Sequence, residues 1–454
     1  MAIASINPAT GETLRTLDSF GDAEVEKKLA RAAKAFEHHR NRRFAERAET
    51  LKTAAAVLMQ DRDRYARIIT LEMGKLFRDS IAEIEKCAAC CRFYAQNGER
   101  FLEERDEQTS AARGYVRYDP IGAVLAIMPW NFPFWQVFRF AVPALMAGDV
   151  GLLKHAANVP QCALAIEEIF HRAGFDGGEF QALLVENAAV EKIVADPRVA
   201  AVTLTGSDKA GAAVASAAGR ALKKSVLELG GSDPFIVLPS ADLDAAVKTG
   251  VQARMVNMGQ SCIAAKRFII HEHIYDEFVS QFVQQMSELR VGDPLDKTTQ
   301  VGPLSSEYIL KGVAKQVEES VAAGAKLLTG GKRIERAGYF FEPTVLANVP
   351  TDSPAYSDEV FGPVASVFRV DDNDAAIDLA NDHKFGLGAS VWTNDPHEQQ
   401  TFARQIESGM VFFNAMVASD SRLPFGGVKH SGYGRELSAE GIREFVNVKT
   451  VVVA

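Results

Sequence analysis

From residue 113 onward, short apolar runs alternate with helix-like stretches, and this rhythm restricts the fold more than any other property of the chain. "GYVRYDP" and "GAVLAIMPW" precede a helical stretch at 134–147. Then come "GLLKH", a helix at 159–173, "FQALLVE", "VAAVTLTG", a helix at 207–220 and "SVLEL". The pattern restarts with "DPFIVLP", a helix at 241–258, "KRFIIHE" and helices at 275–289 and 305–322. It closes with "KLLTG", "ASVFRV", a helix at 373–381, "ASVWTN", a helix at 396–406 and "GMVFFNA". Strands separated by helices of about 10–15 residues imply βαβ units and parallel sheets. Three stretches with apolar spacings of three and four, 22–37, 44–59 and 77–103, predict amphipathic helices ahead of them. "ELGGSDP" (228–234) reads as the seam between two α/β domains. "VNVKTVVVA" at the end is β-prone without a sequential partner, which suggests pairing on another subunit.

A chain of 454 residues suits two or three domains with a cleft between them. The net charge of −9 and the lack of a basic stripe argue against nucleic acid. No uncharged apolar run approaches the ~20 residues of a membrane span, and "MAIASINPATGETLR" does not read as a signal peptide. Five cysteines in so long a chain make no disulfide framework, so a cytoplasmic protein with reduced thiols is expected.

Cys262 stands out. In "MVNMGQSCIAAKRFII" (255–270) it occupies a turn between a helix and a strand, where a cysteine serving only to pack would not be placed. In "TLTGSDKAGAAVA" (203–215), Gly206, Ser207 and Gly211 fall where a strand meets a helix. Free N–H groups and the helix dipole favour a phosphate there, though an ordinary tight turn has the same look. In "MPWNFPFWQVFRF" (128–140), two prolines hold Trp130 and Asn131 in an extended turn at a strand end, with a helix from about Pro133. Asn131 either presents a neutral N–H donor at the ligand edge of the sheet or caps the helix. Glu228 lies between Leu227 and Leu229, where apolar surroundings raise a carboxyl pKa towards general-base use; a surface loop glutamate is the plainer reading.

Together "MPWNFP", "TLTGSDKAG", "LELGGSDP", "GQSCIAAKR", "EVFGPV" and "LPFGGVKHSGYGRE" resemble the aldehyde dehydrogenase superfamily, in its order and over about 310 residues. "NFPFWQVFRF" and "GQSCIAAKRF" are most similar to its short succinate-semialdehyde branch. The resemblance implies an α/β fold with two doubly wound domains and a small β oligomerisation element. The cofactor-binding domain would take 1–110 and 126–229, the catalytic domain 230–430, and the oligomerisation element 111–125 and 431–454. It implies a homodimer or homotetramer. It also implies Cys262 as nucleophile, with an oxyanion held by the Asn131 amide and the Cys262 N–H, and Glu228 as the base that activates water. Glu359 would hold the nicotinamide ribose with Phe361 beside it. Trp130, Lys154, Gly206, Ser207, Gly211 and Leu229 would line the rest of the cofactor.

One position departs from the family's pattern. In "LKHAAN" Ala157 stands where many members carry the glutamate that grips the adenosine ribose. No carboxylate there excludes a 2′-phosphate, and Lys154 can approach one, so both NAD and NADP are expected to serve. For the substrate, Trp135 and Arg139 share a helix face. Arg139 can fork onto a carboxylate beside the Trp135 wall, with Ser419 adding a hydrogen bond, or it can pair with an acidic residue of the protein. The carboxylate reading puts succinate semialdehyde first and glutarate semialdehyde next. Cys87, Cys90 and Cys91 sit in an amphipathic helix as packing residues, and His271 and His273 point to one face of a strand end; neither group reads as a metal site. A coenzyme-A-acylating enzyme would not need Glu228, and a catalytically silent relative would be expected to lack Cys262, Glu228 or Asn131.

Overall fold

Strand Val150–His155 is buried along its whole length, as a strand is when helices cover both faces of a parallel sheet. In this computed structural model, which describes residues 2–454, it belongs to a six-stranded sheet. The strand order is Gly432–Tyr433, Lys224–Glu228, Val199–Thr205, Ala123–Met128, Val150–His155, Phe180–Ala182. Only the first pairing, Gly432 opposite Glu228, is antiparallel. A second sheet of seven strands runs Lys326–Thr329, Thr344–Ala347, Val364–Val370, Arg267–His271, Pro234–Val237, Gly388–Trp392, Met410–Phe413. It is parallel except at its first pair. The chain leaves the first sheet at Glu228 and enters the second at Pro234. Met1, the first residue of the expected cofactor-binding segment, lies outside the described residues.

The alternating pattern therefore gives the two sheets, and the exceptions have local causes. The tail Val446–Val453 pairs with Arg113–Pro120 of its own chain, antiparallel from Val446 opposite Pro120 to Val453 opposite Arg113. Its partner lies more than 300 residues away in sequence, so the expectation of pairing on another subunit is corrected. This three-stranded sheet, completed by Arg105–Glu107, leaves Val448, Val452 and Val453 exposed along its outer strand. Helix Arg62–Met73 was not anticipated, because only Asp61 separates it from helix Phe44–Gln60 and no loop-like run marks the break. His271 ends its strand and His273 already lies in the first turn of helix Glu272–Ser287, so strand alternation does not relate them.

Helix Trp135–Ala147 is buried at every position, which explains why only Gln136 and Arg139 interrupt its apolar sequence. No side chain within this helix caps its start. Instead a Glu83 oxygen from helix Phe77–Phe101 accepts the N–H groups of Phe134 and Trp135, each at 2.9 Å. Cys87, Cys90 and Cys91 are buried on the same long helix, where burial pushes the Cys90 thiol up to about 12. Among the described residues no helix is long and apolar enough to cross a membrane.

Candidate active site

Helix Leu243–Met255 does not run on to 258. It ends in a turn in which Asn257 and Met258 adopt left-handed conformations, φ 51° and 57°. Gly259 follows at φ 74°, and a Cβ there would fall 2.0 Å from the Gly362 carbonyl oxygen, so only glycine fits. The fully buried Arg254 donates to the Gly259 carbonyl at 2.7 Å. Lys266 then gathers the Ser261 and Cys262 carbonyls at 2.8 Å and that of Ala264 at 3.1 Å. Two buried cations and a glycine thus fix the turn that presents Cys262.

That turn stands between two cavities. On one side a cleft of about 590 Å³ is lined by Trp130, Asn131, Gly206, Ser207, Glu359 and Cys262, among others. Residues 129–131, 205–207 and 229–230 all lie at the carboxyl ends of strands in the six-stranded sheet, the usual ligand edge of such sheets. On the other side a pocket of about 220 Å³ is lined by Lys86, Trp135, Arg139, Cys262, Ser419 and Phe425, with apolar neighbours. Cys262 and Gln136 border both.

Burial pushes the Cys262 thiol up to about 12, while the Arg139 and Lys266 charges pull the other way. Asn131 donates through Nδ2 to the Gln260 carbonyl at 3.0 Å and accepts from Gln136 Nε2 at 3.1 Å. It is a turn-fixing residue rather than the cap of the helix that follows. An amide nitrogen has two hydrogens, so one N–H remains for the cleft. Glu228 is buried and its carboxylate oxygens have no hydrogen-bond partner. Burial, then the charge of Glu436, hold its pKa well above the carboxylate range. It lies against Gly426, where a Cβ would come 2.8 Å from Glu228 Oε1, and outside the lining of both cavities.

The cofactor candidates divide. Trp130 and Phe361 meet edge to face at 5.8 Å in the wide cleft. Glu359 accepts from Gly231 N–H at 3.2 Å and lies 3.3 Å from Lys266 Nζ. Burial raises its pKa and Lys266 opposes the rise. Ser207 caps helix Asp208–Arg220, its Oγ accepting from Ala210 N–H at 3.2 Å. Gly206 and Leu229 line the cleft, whereas Gly211 packs under Leu229, whose Cδ2 would lie 2.6 Å from an added Cβ. Lys154 and Ala157 are outside this lining: Lys154 Nζ donates to Asn187 Oδ1 at 2.7 Å, and Ala157 is exposed in the turn after its strand. An open cleft with a helix start, a carboxylate and paired aromatics fits a dinucleotide.

Of the substrate candidates, Trp135 and Arg139 do face one pocket, but Arg139 is ion-paired with Glu436, both buried, and lies over the Phe425 ring at 4.4 Å. Its charge is thus matched within the protein. Ser419 Oγ accepts from Trp135 Nε1 at 3.0 Å and from Lys86 Nζ at 2.7 Å. Lys86, Glu436, Lys266 and Gln136 were missed by sequence reasoning. For Lys86 a signal existed: it falls at helical spacing from the buried Glu83, Cys87 and Cys90 and is itself partly buried, an unusual place for a lysine.

Comparisons with known proteins agree with this geometry. The aldehyde dehydrogenase family matches residues 1–451. The chain is 56% identical over 459 residues to succinate-semialdehyde dehydrogenase [NADP(+)] 1 of Mycobacterium tuberculosis, covering 100% of both chains. It is 54% identical over 454 residues, again 100% of both, to a probable succinate-semialdehyde dehydrogenase [NADP(+)] of Synechocystis sp.. A crystal structure of succinic semialdehyde dehydrogenase from Streptococcus pyogenes with NADP+ superposes with a TM-score of 0.98, at 38% identity and full coverage of both chains. With a cysteine set in the wall between a dinucleotide-sized cleft and a small pocket, and with this likeness over its whole length, the chain belongs to the aldehyde dehydrogenase family.

Proposed function

We propose that this chain oxidises succinate semialdehyde to succinate, passing hydride to NADP or NAD. The observation that carries this reading is the position of Cys262, which borders the wide cleft and the small pocket at once. The aldehyde carbon is attacked by the Cys262 thiolate, whose formation is favoured by Arg139 and Lys266 and opposed by burial. The new oxyanion is held by the free Asn131 N–H and the Cys262 N–H, in the manner of other oxyanion holes. Glu359, Trp130 and Phe361 would hold the nicotinamide in the wide cleft, where it would supply the hydride acceptor. A thioester on Cys262 remains. Water cleaves it while Glu228 takes up the water's proton, which requires the Glu228 side chain to turn from its buried place beside Gly426 towards the sulfur.

Use of NADP as well as NAD is supported by Ala157, which brings no carboxylate to the adenosine end, and by the names of the relatives at 54–56% identity. The exposed valines of strand Val446–Val453 support a homodimer or homotetramer, with residues 111–125 and 431–454 as the oligomerisation element. The five free cysteines suit a cytoplasmic setting. The test compares initial rates of reduced-cofactor formation on succinate semialdehyde and butyraldehyde, with NADP and NAD in parallel. The expected preference for the semialdehyde is about 10²-fold or more, roughly 2.7 kcal/mol. Equal rates would discard the substrate.

A further inference from the structure

We infer that Lys266 is a positioning residue that ties the nucleophile to the cofactor site: its one ammonium holds the turn that presents Cys262 and steadies the Glu359 carboxylate that faces the wide cleft. The inference rests on the roles proposed above for Cys262 and Glu359 and names the group that connects them.

Three segments converge on this ammonium. The first is the turn itself, whose Ser261, Cys262 and Ala264 carbonyls accept from Nζ at 2.8, 2.8 and 3.1 Å. The second is the segment that carries Glu359, with Oε1 at 3.3 Å from Nζ. The third is the crossing between the two sheets. There Gly231 N–H donates to the same Glu359 oxygen at 3.2 Å, and a Cβ on Gly231 would fall 2.5 Å from the Cys262 carbonyl oxygen. Glycine at 231 therefore lets the carboxylate and the turn close on one another.

An ammonium has three N–H donors, and four acceptors surround this one. The Lys266 side chain is 3% exposed, whereas that of Glu359 is 19% exposed and borders the cleft. The lysine is thus the fixed end of the tie and the carboxylate its working end. Both protein contacts of the carboxylate fall on Oε1, which leaves Oε2 to a ligand hydroxyl. Burial lowers the Lys266 pKa, and the Glu359 charge is the first to oppose the drop, so each of the two keeps the other ionised.

The same two charges act on the thiol with opposite signs. Cys262 is faced by Lys266 on its own turn, Arg139 from helix Trp135–Ala147, Asp233 at the entry to the second sheet and Glu359. Arg139 and then Lys266 favour the thiolate, and Glu359 and Asp233 oppose it. Arg254, from helix Leu243–Met255, is a further charge that faces Lys266. Towards the cofactor the pair works in one direction: Glu359 accepts, and Lys266 keeps it an anion in place.

The experiment uses two readouts that need no turnover, the rate of iodoacetamide alkylation and the affinity for NADP+ followed by tryptophan fluorescence, since Trp130 lines the cleft. The full chain is compared with Lys266→Met, Glu359→Gln and the double variant. The other four cysteines are buried, so alkylation reports Cys262, with Cys262→Ala as the blank. Below the midpoint of the thiol the rate follows the thiolate fraction, and one pKa unit is a tenfold change. Lys266→Met should slow alkylation by up to about tenfold, and Glu359→Gln should speed it by a similar factor. Each should weaken NADP+ binding by about tenfold, and the double variant no more than Glu359→Gln alone. Opposite signs on the thiol with one sign on the cofactor are the mark of a shared tie; a general loosening gives neither. Alkylation that is unchanged or faster in Lys266→Met overturns the inference, as do additive losses of NADP+ affinity. A loss of affinity in Glu359→Gln without one in Lys266→Met fails the tie alone. Undiminished affinity in Glu359→Gln fails the proposed role of Glu359 itself. If Lys266→Met does not fold, Glu359→Gln decides, and alkylation no faster than in wild type counts against the tie.

Discussion

The two cavities that meet at Cys262 are built in opposite ways. One wall of the wide cleft is made of strand ends: residues 129–131, 205–207 and 229–230 reach it because parallel strands deliver their carboxyl ends to one edge, opposite a face of helix Glu307–Ala323. The small pocket is made of helix faces and one loop, and its key polar contact joins Lys86 to Ser419 across 333 positions. Short motifs suffice for the first kind of site, since each turn brings its own backbone and side chain. The second kind exists only once distant helices have packed. The cysteine belongs to both, and the two groups proposed to act with it differ: Asn131 is locked by neighbours in the cleft wall, whereas Glu228 lies buried without a hydrogen-bond partner.

The largest effect should come from the shared residue. Cys262→Ala removes the proposed nucleophile, and turnover should fall by at least about 10⁴-fold on any aldehyde, measured as kcat. If acid formation survives, the thioester route is wrong and the two cavities do not meet in one reaction. Next, Glu228→Gln should slow the steady state by about 10²–10⁴-fold while leaving a rapid first turnover of reduced cofactor. A pre-steady-state burst reads this directly; its absence would put Glu228 ahead of thioester formation. Asn131→Ala should cost on the order of 10²–10³ in kcat, alike for semialdehyde and butyraldehyde, because it acts at the reacting carbon. A loss confined to the semialdehyde would move Asn131 to the other cavity.

Smaller effects probe each side separately. Ala157→Glu introduces a carboxylate near a 2′-phosphate and should shift the NADP-to-NAD ratio of kcat/KM towards NAD by on the order of tenfold, from like-charge repulsion. An unchanged ratio would show that the adenosine end lies elsewhere. The least effect concerns pH. Glu228 works as a base only when deprotonated, and its raised pKa means that deacylation grows with pH beyond the ordinary carboxylate range. Glu436→Gln removes a charge that raises that pKa and frees Arg139, which lowers it. The acid limb of the rate profile should then move to lower pH by up to about one unit. A shift to higher pH would break the electrostatic account of the buried cluster.

Much of the molecule was legible beforehand. The βα rhythm gave both sheets, and the turn at 259–262 singled out Cys262 because a thiol between helix and strand has no packing reason to be there. The last strand was misjudged because its partner, Arg113–Pro120, is remote and nothing local points to it. Arg139 had two open readings, and the ion pair with Glu436 came from a residue 297 positions on, 436 minus 139, that no spacing links to it. Lys86 lay in plain view beside three cysteines, but a helical lysine acquires meaning only from what its face meets.

The sequence by itself determined the class of fold, the parallel sheets, the place of the cysteine and the turns that line the wide cleft, since periodicity and turn chemistry are properties of neighbouring residues. Only the tertiary structure decided which buried charges were already matched, where Glu228 rests and which cation faces the small pocket. Those outcomes depend on distances between residues far apart in the chain, and burial and Coulomb energy act through space.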